Sequence, residues 1–285
     1  MSDTHLLIRN MQRQELDLLV DWAAAEGWNP GLHDAGIFWA TDPQAFIAAE
    51  LDGELVGGGS IVSYGGQYGF MGFFIVHPAQ RGRGLGNRLW HERLRRLLAR
   101  LQPGAAIGMD GVFDMQAWYA KGGFRFSGRE LRFEGRAQPG GAGEAFDLAE
   151  IGFDEVDAYD RSHFPAARST FLRRWIDYPG GFARGVASNG RLAGFAVLRP
   201  CRSGFKIGPL FADDAATASQ LFRALCAEVP GEPVFLDVPE RNPAALQLVR
   251  AAGMREVFGC AKMYHGPAPV LPDSEIFGVT TFELG

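Results

Sequence analysis

The chain has 285 residues and a mass of 31.1 kDa; 47% of it is hydrophobic, 21% is charged, and the formal net charge is -5. That length suits one large domain or, better, two, and the composition is that of a globular protein. The acidic balance excludes a general nucleic-acid binder, no apolar run reaches membrane-spanning length, and Cys201, Cys226 and Cys260 form neither a disulfide framework nor a zinc pattern.

The opening MSDTHLLIRNMQRQE has no charged segment followed by an apolar one, so no secretory signal is expected. A cytoplasmic protein without a metal is the expectation. In chain order, Leu6 to Arg9 read as a short strand and Gln14 to Ala25 as a helix with Leu16, Leu19, Val20 and Ala23 on one face, stopped by Gly27. The turn-rich WNPGLHD that follows carries Trp28, His33 and Asp34. Aromatic and titratable groups on a loop suit substrate recognition, although Trp28 could equally cap the core.

Phe46 to Leu51 and Glu54 to Val62 flank Asp52-Gly53, a β-hairpin signal, and Gly69 to Val76 return as a further strand. His77 and Pro78 end it. The turn from Arg81 to Gly86, RGRGLG, follows, and from Leu85 apolar residues recur at helical spacing through Leu89, Trp90, Leu94, Leu97 and Leu98. A helix N-terminus with glycines and two arginines favours an anion, because its N–H groups are unpaired and the backbone can approach closely. The residues after Gly86, Asn87 and Arg88, rule out a P-loop, and the alternating glycines do not match the dinucleotide fingerprint. Arg93, Arg95, Arg96 and Arg100 read as the solvated side of this helix.

Ala105 to Met109 then read as a strand, Asp114 to Lys121 as a short helix, and Phe124 to Arg132 as a strand. Glu134 to Ala145 is rich in Gly, Ala and Pro and marks a linker, taken as residues 135–144 between domains 1–134 and 145–285. Beyond it the order of elements repeats. Phe182 to Leu198 echo Phe46 to Val62, with Asn189-Gly190 in place of Asp52-Gly53. Gly204 to Phe211 echo Gly69 to Val76, Leu236-Asp237 echo Met109-Asp110, and Gly253-Met254 echo Gly123-Phe124. Tyr159 to Trp175 read as a helical region whose Asp160, Arg161, His163 and Arg168 could face a cleft, and Ile276 to Leu284 as a strand for a sheet edge.

The strand, glycine turn and helix resemble motif A of the GNAT N-acetyltransferase superfamily, Arg/Gln-x-x-Gly-x-Gly/Ala, filled here by Arg81, Gly84 and Gly86. The resemblance implies an α/β (α+β) fold of two GNAT-like domains, each a mixed, mostly antiparallel sheet flanked by helices. It also implies an acetyl-CoA site at Phe74, Ile75, Val76, Arg81, Gly82, Arg83, Gly84, Leu85, Gly86 and Asn87. Tyr119, four residues before Gly123-Phe124, matches the tyrosine that protonates the departing CoA thiolate in that family. The asparagine that the family often has seven residues earlier is Val112 here. The second half has Asp213-Asp214 where the first has its arginine-glycine turn and Val249 where the first has Tyr119, so it is expected to bind no CoA there.

The activity implied is acetyl-CoA-dependent N-acetylation of a small-molecule or peptide amine, by a monomer or homodimer with no nucleic-acid or membrane partner. Loss of a proton from an alkylammonium calls for a base. Asp110 is the first candidate, followed by His33, Asp34 and Glu26, while Asp110 also reads as a plain turn former before Gly111. Trp28, His33 and Asp34 are the acceptor-binding candidates. A non-catalytic CoA-binding sensor on the same fold is the alternative, and a nucleotide-phosphate site in another α/β fold is a third reading.

Overall fold

Two runs of the same ten elements follow one another along the chain. The first is β1 (Leu6–Asn10), α1 (Arg13–Ala25), α2 (Asp34–Thr41), β2 (Phe46–Leu51), β3 (Glu54–Tyr64), β4 (Tyr68–Val76), α3 (Leu85–Leu98), β5 (Ala106–Val112), α4 (Gln116–Lys121) and β6 (Arg125–Arg136). The second is β7 (Phe146–Asp147), α5 (Phe153–His163), α6 (Ser169–Ile176), β8 (Phe182–Ser188), β9 (Arg191–Pro200), β10 (Phe205–Ala212), α7 (Ala215–Glu228), β11 (Pro233–Pro239), α8 (Pro243–Ala251) and β12 (Arg255–His265), closed by a short β13 (Ile276–Gly278). The structure is a computed structural model and describes residues 6–141 and 143–285. The first five residues, and residue 142 within the expected linker, lie outside them.

The duplication read from the sequence is thus present element by element. Asp52-Gly53 and Asn189-Gly190 both take positive φ, the backbone that a two-residue hairpin turn requires. One helix was not legible: α2, DAGIFWAT, lacks the polar face that helical periodicity needs, because Ile37 and Phe38 are buried and little of it meets water. The linker also starts later than expected, since β6 continues to Arg136 and Ala137 N–H bonds Glu232 O.

All 13 strands of the described residues belong to one sheet, and the two halves exchange their last strands within it. The order runs β1-β2-β3-β4-β5-β12-β6-β11-β10-β9-β8-β7. Strand β12 from the second half pairs antiparallel with β5 of the first, β6 from the first pairs antiparallel with β11 of the second, and β6 and β12 pair with each other at the centre. One face is covered by α1, α2, α5 and α6 in a core that includes Phe38, Phe70, Phe171, Trp175 and Phe195. Separate cores hold α3 and α4 on the first half and α7 and α8 on the second. Among the described residues no helix is long and apolar enough to cross a membrane.

In each half the fourth and fifth strands run parallel and then part. β4 pairs with β5 only at Tyr68, Gly69 and Phe70, so Met71 to Val76 diverge from Met109 to Val112. The divergence is sharpened by a bulge. β3 pairs Gly58 with Ile75 and then Ser60 with Gly72, leaving one extra residue on β4, and Phe73 takes φ 48° there. The same parting follows Ile207 on β10. There the chain fills its own gap: β13 pairs with β10 at Leu210 and Phe211, and Val279 N–H bonds Asp237 O of β11. The tail therefore does not extend a sheet edge, as its strand character suggested; it lies inside the second half's parting.

Candidate active site

The parting of β4 and β5 opens a cavity of about 510 Å³. Its mouth is the turn before α3. Gly82 and Gly84 take φ 76° and 78°, a left-handed backbone that L side chains rarely adopt, and Gly84 is the N-cap of α3. No side chain caps that terminus and its first turn holds no acid, so its N–H groups and dipole are free for an anion. Arg81 is anchored by Val76 O (2.9 Å) and an ion pair with Glu26, and Arg83 bonds the Gln80 side chain. The corresponding terminus of α7 is closed: Asp214 accepts the Thr217 N–H at 2.8 Å, and Asp213 accepts the Tyr159 hydroxyl at 2.7 Å.

Phe74, Ile75, Val76, Arg81, Gly82, Gly84, Leu85, Gly86 and Asn87 all line the cavity, while Arg83 is exposed beside it. Tyr119 lines it too and is 4% exposed. Its ring lies against Trp90 and over Gly111, where a Cβ would come within 2.4 Å, so glycine at 111 makes room for it. Burial pushes the Tyr119 phenol up to about 12, partly opposed by Arg93, which leaves it protonated at neutral pH. Val112 lines the cavity where the family often has asparagine. The second half's Asn242 instead caps α8 and donates to Ile276 O at 3.0 Å, tying down the tail.

Asp110 faces the same cavity from β5. Lys262 Nζ, its cross-strand neighbour on β12, donates to Asp110 Oδ2 at 2.9 Å, whereas the buried Asp110 Oδ1 has no partner among the described residues. Burial raises the Asp110 carboxyl above the usual carboxylate range against the pull of Lys262. Asp110 is therefore more than a turn former: it is a buried carboxylate with one oxygen unpaired.

Of the loop residues proposed for the acceptor, Trp28 lines the cavity and His33 and Asp34 do not. Asp34 is fully buried, accepts from Gly31 N–H (2.7 Å) and the Tyr178 hydroxyl (2.9 Å), and pairs with Arg199 at 3.2 Å, so it fastens the loop to the second half. His33 is exposed with its ring against Tyr178. Glu26 lines the mouth but is engaged by Arg81.

Several lining residues escaped the sequence reading. Phe258 and Cys260 arrive on the exchanged strand β12, and Phe282 and Glu283 on the tail. Arg132 knits this wall together. It pairs with Asp237 through two bonds of 2.6 and 2.8 Å, donates to Trp28 O at 2.6 Å, and lies over the rings of Phe258 and Phe282. Arg93 is the clearest correction: it points inward, fully buried, donating to Ser60 O and Gly72 O at 2.6 Å each, with Nε and Nη1 unpartnered. Burial pushes its guanidinium down to about 9. The signal was present, since Arg93 sits four residues from both Leu89 and Leu97 on the apolar face. Gly59 leaves the space it occupies; a Cβ there would lie 2.4 Å from the guanidinium carbon.

Of the polar groups expected to reach the cleft from the second half's helices, Arg161 donates to Phe164 O, and Asp160 and Arg168 hold the tail instead. Arg168 is bidentate to Asp160 (2.7 and 2.8 Å) and bonds Thr280 Oγ1 and Gly285 O, while His163 stacks between Tyr159 and Phe211. From there the tail runs into the first half: the Ser60 hydroxyl donates to Glu283 O at 3.2 Å and the Tyr64 hydroxyl to Leu284 O at 2.8 Å. Among the described residues no group of three His, Cys, Asp or Glu could hold a metal ion.

Comparison with known proteins bears on this geometry. Residues 11–124 match a family model described as the acetyltransferase (GNAT) family, and residues 156–278 match one described as an acetyltransferase (GNAT) domain. The holothin acyltransferase of a Pseudoalteromonas strain is 28% identical over 275 residues, covering 95% of this chain and 92% of that one. A structure from Pyrococcus horikoshii superposes with a TM-score of 0.83 at 22% identity, covering 98% of this chain and 96% of the other, and so shares the fold. A tandem GNAT protein from the clavulanic acid biosynthesis pathway does so with a TM-score of 0.65 at 14% identity, covering 93% and 100%.

Proposed function

The chain belongs to the GNAT acetyltransferase family as a tandem pair of GNAT domains, and from that premise we propose that its first half is an acetyl-CoA-dependent N-acetyltransferase acting on a primary amine. One observation carries the reading. A single cavity holds an uncapped helix N-terminus behind a glycine turn, a buried protonated tyrosine and a buried carboxylate with a free oxygen. Those are a phosphate cradle, an acid and a base.

The pyrophosphate of acetyl-CoA binds the N–H groups opening α3, with Arg81 and Arg83 adding charge. The pantetheine enters the parting of β4 and β5, where β4 lacks a partner on its β5 side beyond Phe70 and can bond the thioester arm with its own backbone. The acceptor amine meets the thioester from the side walled by Trp28, Phe258, Phe282 and Glu283. Asp110 Oδ1 takes the ammonium proton, the amine adds to the carbonyl carbon, Tyr119 gives its proton to the CoA sulfur as the C–S bond breaks, and the second nitrogen proton, shed as the amide forms, returns the Tyr119 phenolate to the phenol. A relative named holothin acyltransferase, matched nearly end to end, supports acyl transfer by the full tandem chain. The second half, with α7 capped and its parting filled, binds no CoA and builds the acceptor wall.

CoA thiol release followed across an amine panel, repeated with Tyr119→Phe, tests this. Release that depends on the amine and falls about 100-fold in the variant is expected. Saturable acetyl-CoA binding without release for any amine would support a non-catalytic CoA-binding protein instead.

A further inference from the structure

Strand exchange places three buried charged groups on adjacent central strands: Asp110 on β5, Lys262 on β12 and Glu130 on β6. Lys262 is in register with Asp110, and Glu130 with Cys260, two residues along β12 on the same face. Glu130 is 1% exposed and its Oε2, buried, has no partner among the described residues. It lines a second cavity of about 50 Å³ together with Lys262, Tyr68, Arg241 and Asp273. The row therefore starts at the acetyl-transfer cavity with an unpartnered oxygen, Asp110 Oδ1, and ends at another cavity with a second one. Buried carboxylate oxygens ordinarily have partners, and about 50 Å³ beside Glu130, Lys262, Arg241 and Asp273 is room for water against an otherwise largely apolar wall.

Building on the N-acetyltransferase reading, we propose that Asp110, Lys262 and Glu130 form a proton-exit relay, which passes the proton lost by the acceptor ammonium from the acetyl-transfer cavity to the water of the second cavity. The first transfer breaks an N–H bond of the ammonium and forms an O–H bond on Asp110, leaving a neutral amine. Glu130, protonated at rest because burial raises it well above an ordinary glutamate, releases its proton to cavity water. Lys262 then gives one proton, through cavity water, to the emptied Glu130 carboxylate and takes the proton held by Asp110, which restores the Asp110 carboxylate and the protonated Glu130. Each step moves one proton, and no oxidant or co-reactant is needed.

The electrostatics run the same way. Burial works against the Lys262 ammonium and is outweighed chiefly by Asp110. Once Asp110 is protonated that support is gone and burial favours release. Burial raises Glu130 well above an ordinary glutamate, which makes it a competent acceptor and donor near neutral pH. The other groups facing the row are Asp237, Glu283, Cys260 and Tyr264 at Asp110 or Lys262, and Asp237 and Arg241 at Glu130, with Tyr68, His163 and Asp273 on the cavity wall.

The relay matters only for an acceptor that arrives protonated, which gives the test. The full-length protein and Glu130→Gln, a near-isosteric change, are assayed at pH 7 with phenethylamine, which is protonated, and with aniline, which is neutral. The variant is expected to lose at least tenfold more kcat with phenethylamine than with aniline, and to regain part of that loss as the pH is raised. Equal losses with the two amines, or no loss with either, would overturn the relay. Wild-type protein that releases no CoA thiol with any amine would remove the acetyltransferase reading and the relay with it, an outcome distinct from the other two. A melting temperature for Glu130→Gln within a few degrees of wild type excludes misfolding as the cause.

Discussion

Gly72→Ala would test whether the tail is part of the acceptor site. A Cβ at position 72 would lie 2.0 Å from the backbone oxygen of Glu283 and 2.9 Å from the Ser60 hydroxyl, so the tail must move. What holds it can be weighed. Phe282 and Leu284 are 7% and 0% exposed, worth about 5 kcal/mol together. The hydrogen bonds from Ser60 and Tyr64 add about 2 kcal/mol. Against this, ordering four residues costs roughly 4–8 kcal/mol. These nearly cancel, so the displaced tail should lower the melting temperature by no more than about 5 °C. Turnover should suffer far more, because Phe282 and Glu283 leave the cavity wall proposed to face the thioester. Acetyl-CoA affinity by calorimetry should stay within about threefold, since the turn before α3 touches none of these residues, whereas acceptor KM should rise at least tenfold. Unchanged acceptor kinetics, or acetyl-CoA affinity falling as far as acceptor affinity, would refute the reasoning.

Gly84→Val puts a β-branched residue at φ 78°, where the strain of about 1–2 kcal/mol is relieved by deforming the first turn of α3. Acetyl-CoA binding should weaken about 100-fold; binding that stays tight would place the pyrophosphate elsewhere. Gly86→Ala should be milder, because a Cβ there meets Val76 and Phe74 at an ordinary 3.5 and 3.6 Å. Stability should also depend on Glu130, whose carboxyl burial raises to about 8 from 4.5. A raised carboxyl adds stability that is complete below the unfolded value and is lost as pH rises through the folded one. Wild type should therefore melt at progressively lower temperature from pH 5 to pH 9, and Glu130→Gln should show a shallower decline; parallel profiles would mean that Glu130 does not titrate in that window.

What the sequence disclosed was local. The glycine turn, the face of α3 and Tyr119 ahead of Gly123-Phe124 are legible because each depends on residues within one or two turns of chain. Arg93 was misread although its spacing put it among Leu89, Trp90 and Leu97, because a lone arginine on an apolar face is ordinarily taken to escape to solvent. Glu130 and Arg132 alternate with Leu131 and Phe133, which reads as a strand with one wet face; in the central sheet both faces are covered. Phe258, Cys260 and Lys262 could not have been found, since nothing near them announces that β12 will lie beside β5. Their place follows from pairing across some 150 residues, as in the Lys262 to Asp110 bond.

That exchange explains how one half helps to wall the other's cavity. Both halves make the same parting after the third pair of their parallel strands, and in both a helix N-terminus faces it. In the second half Asp214 satisfies that terminus from within, and β13 occupies the gap, so nothing is left for a phosphate. The segment that fills the gap does not stop there. It continues past Arg168 and Thr280 into the first half, where Glu283 reaches the cavity beneath Gly72. With β12 supplying Lys262 to Asp110 and the tail supplying Phe282 and Glu283, the first half's cavity takes a wall and a buried cation from the second half. On the proposed function, the second half then serves as a fixed part of its neighbour's site, with its own parting filled.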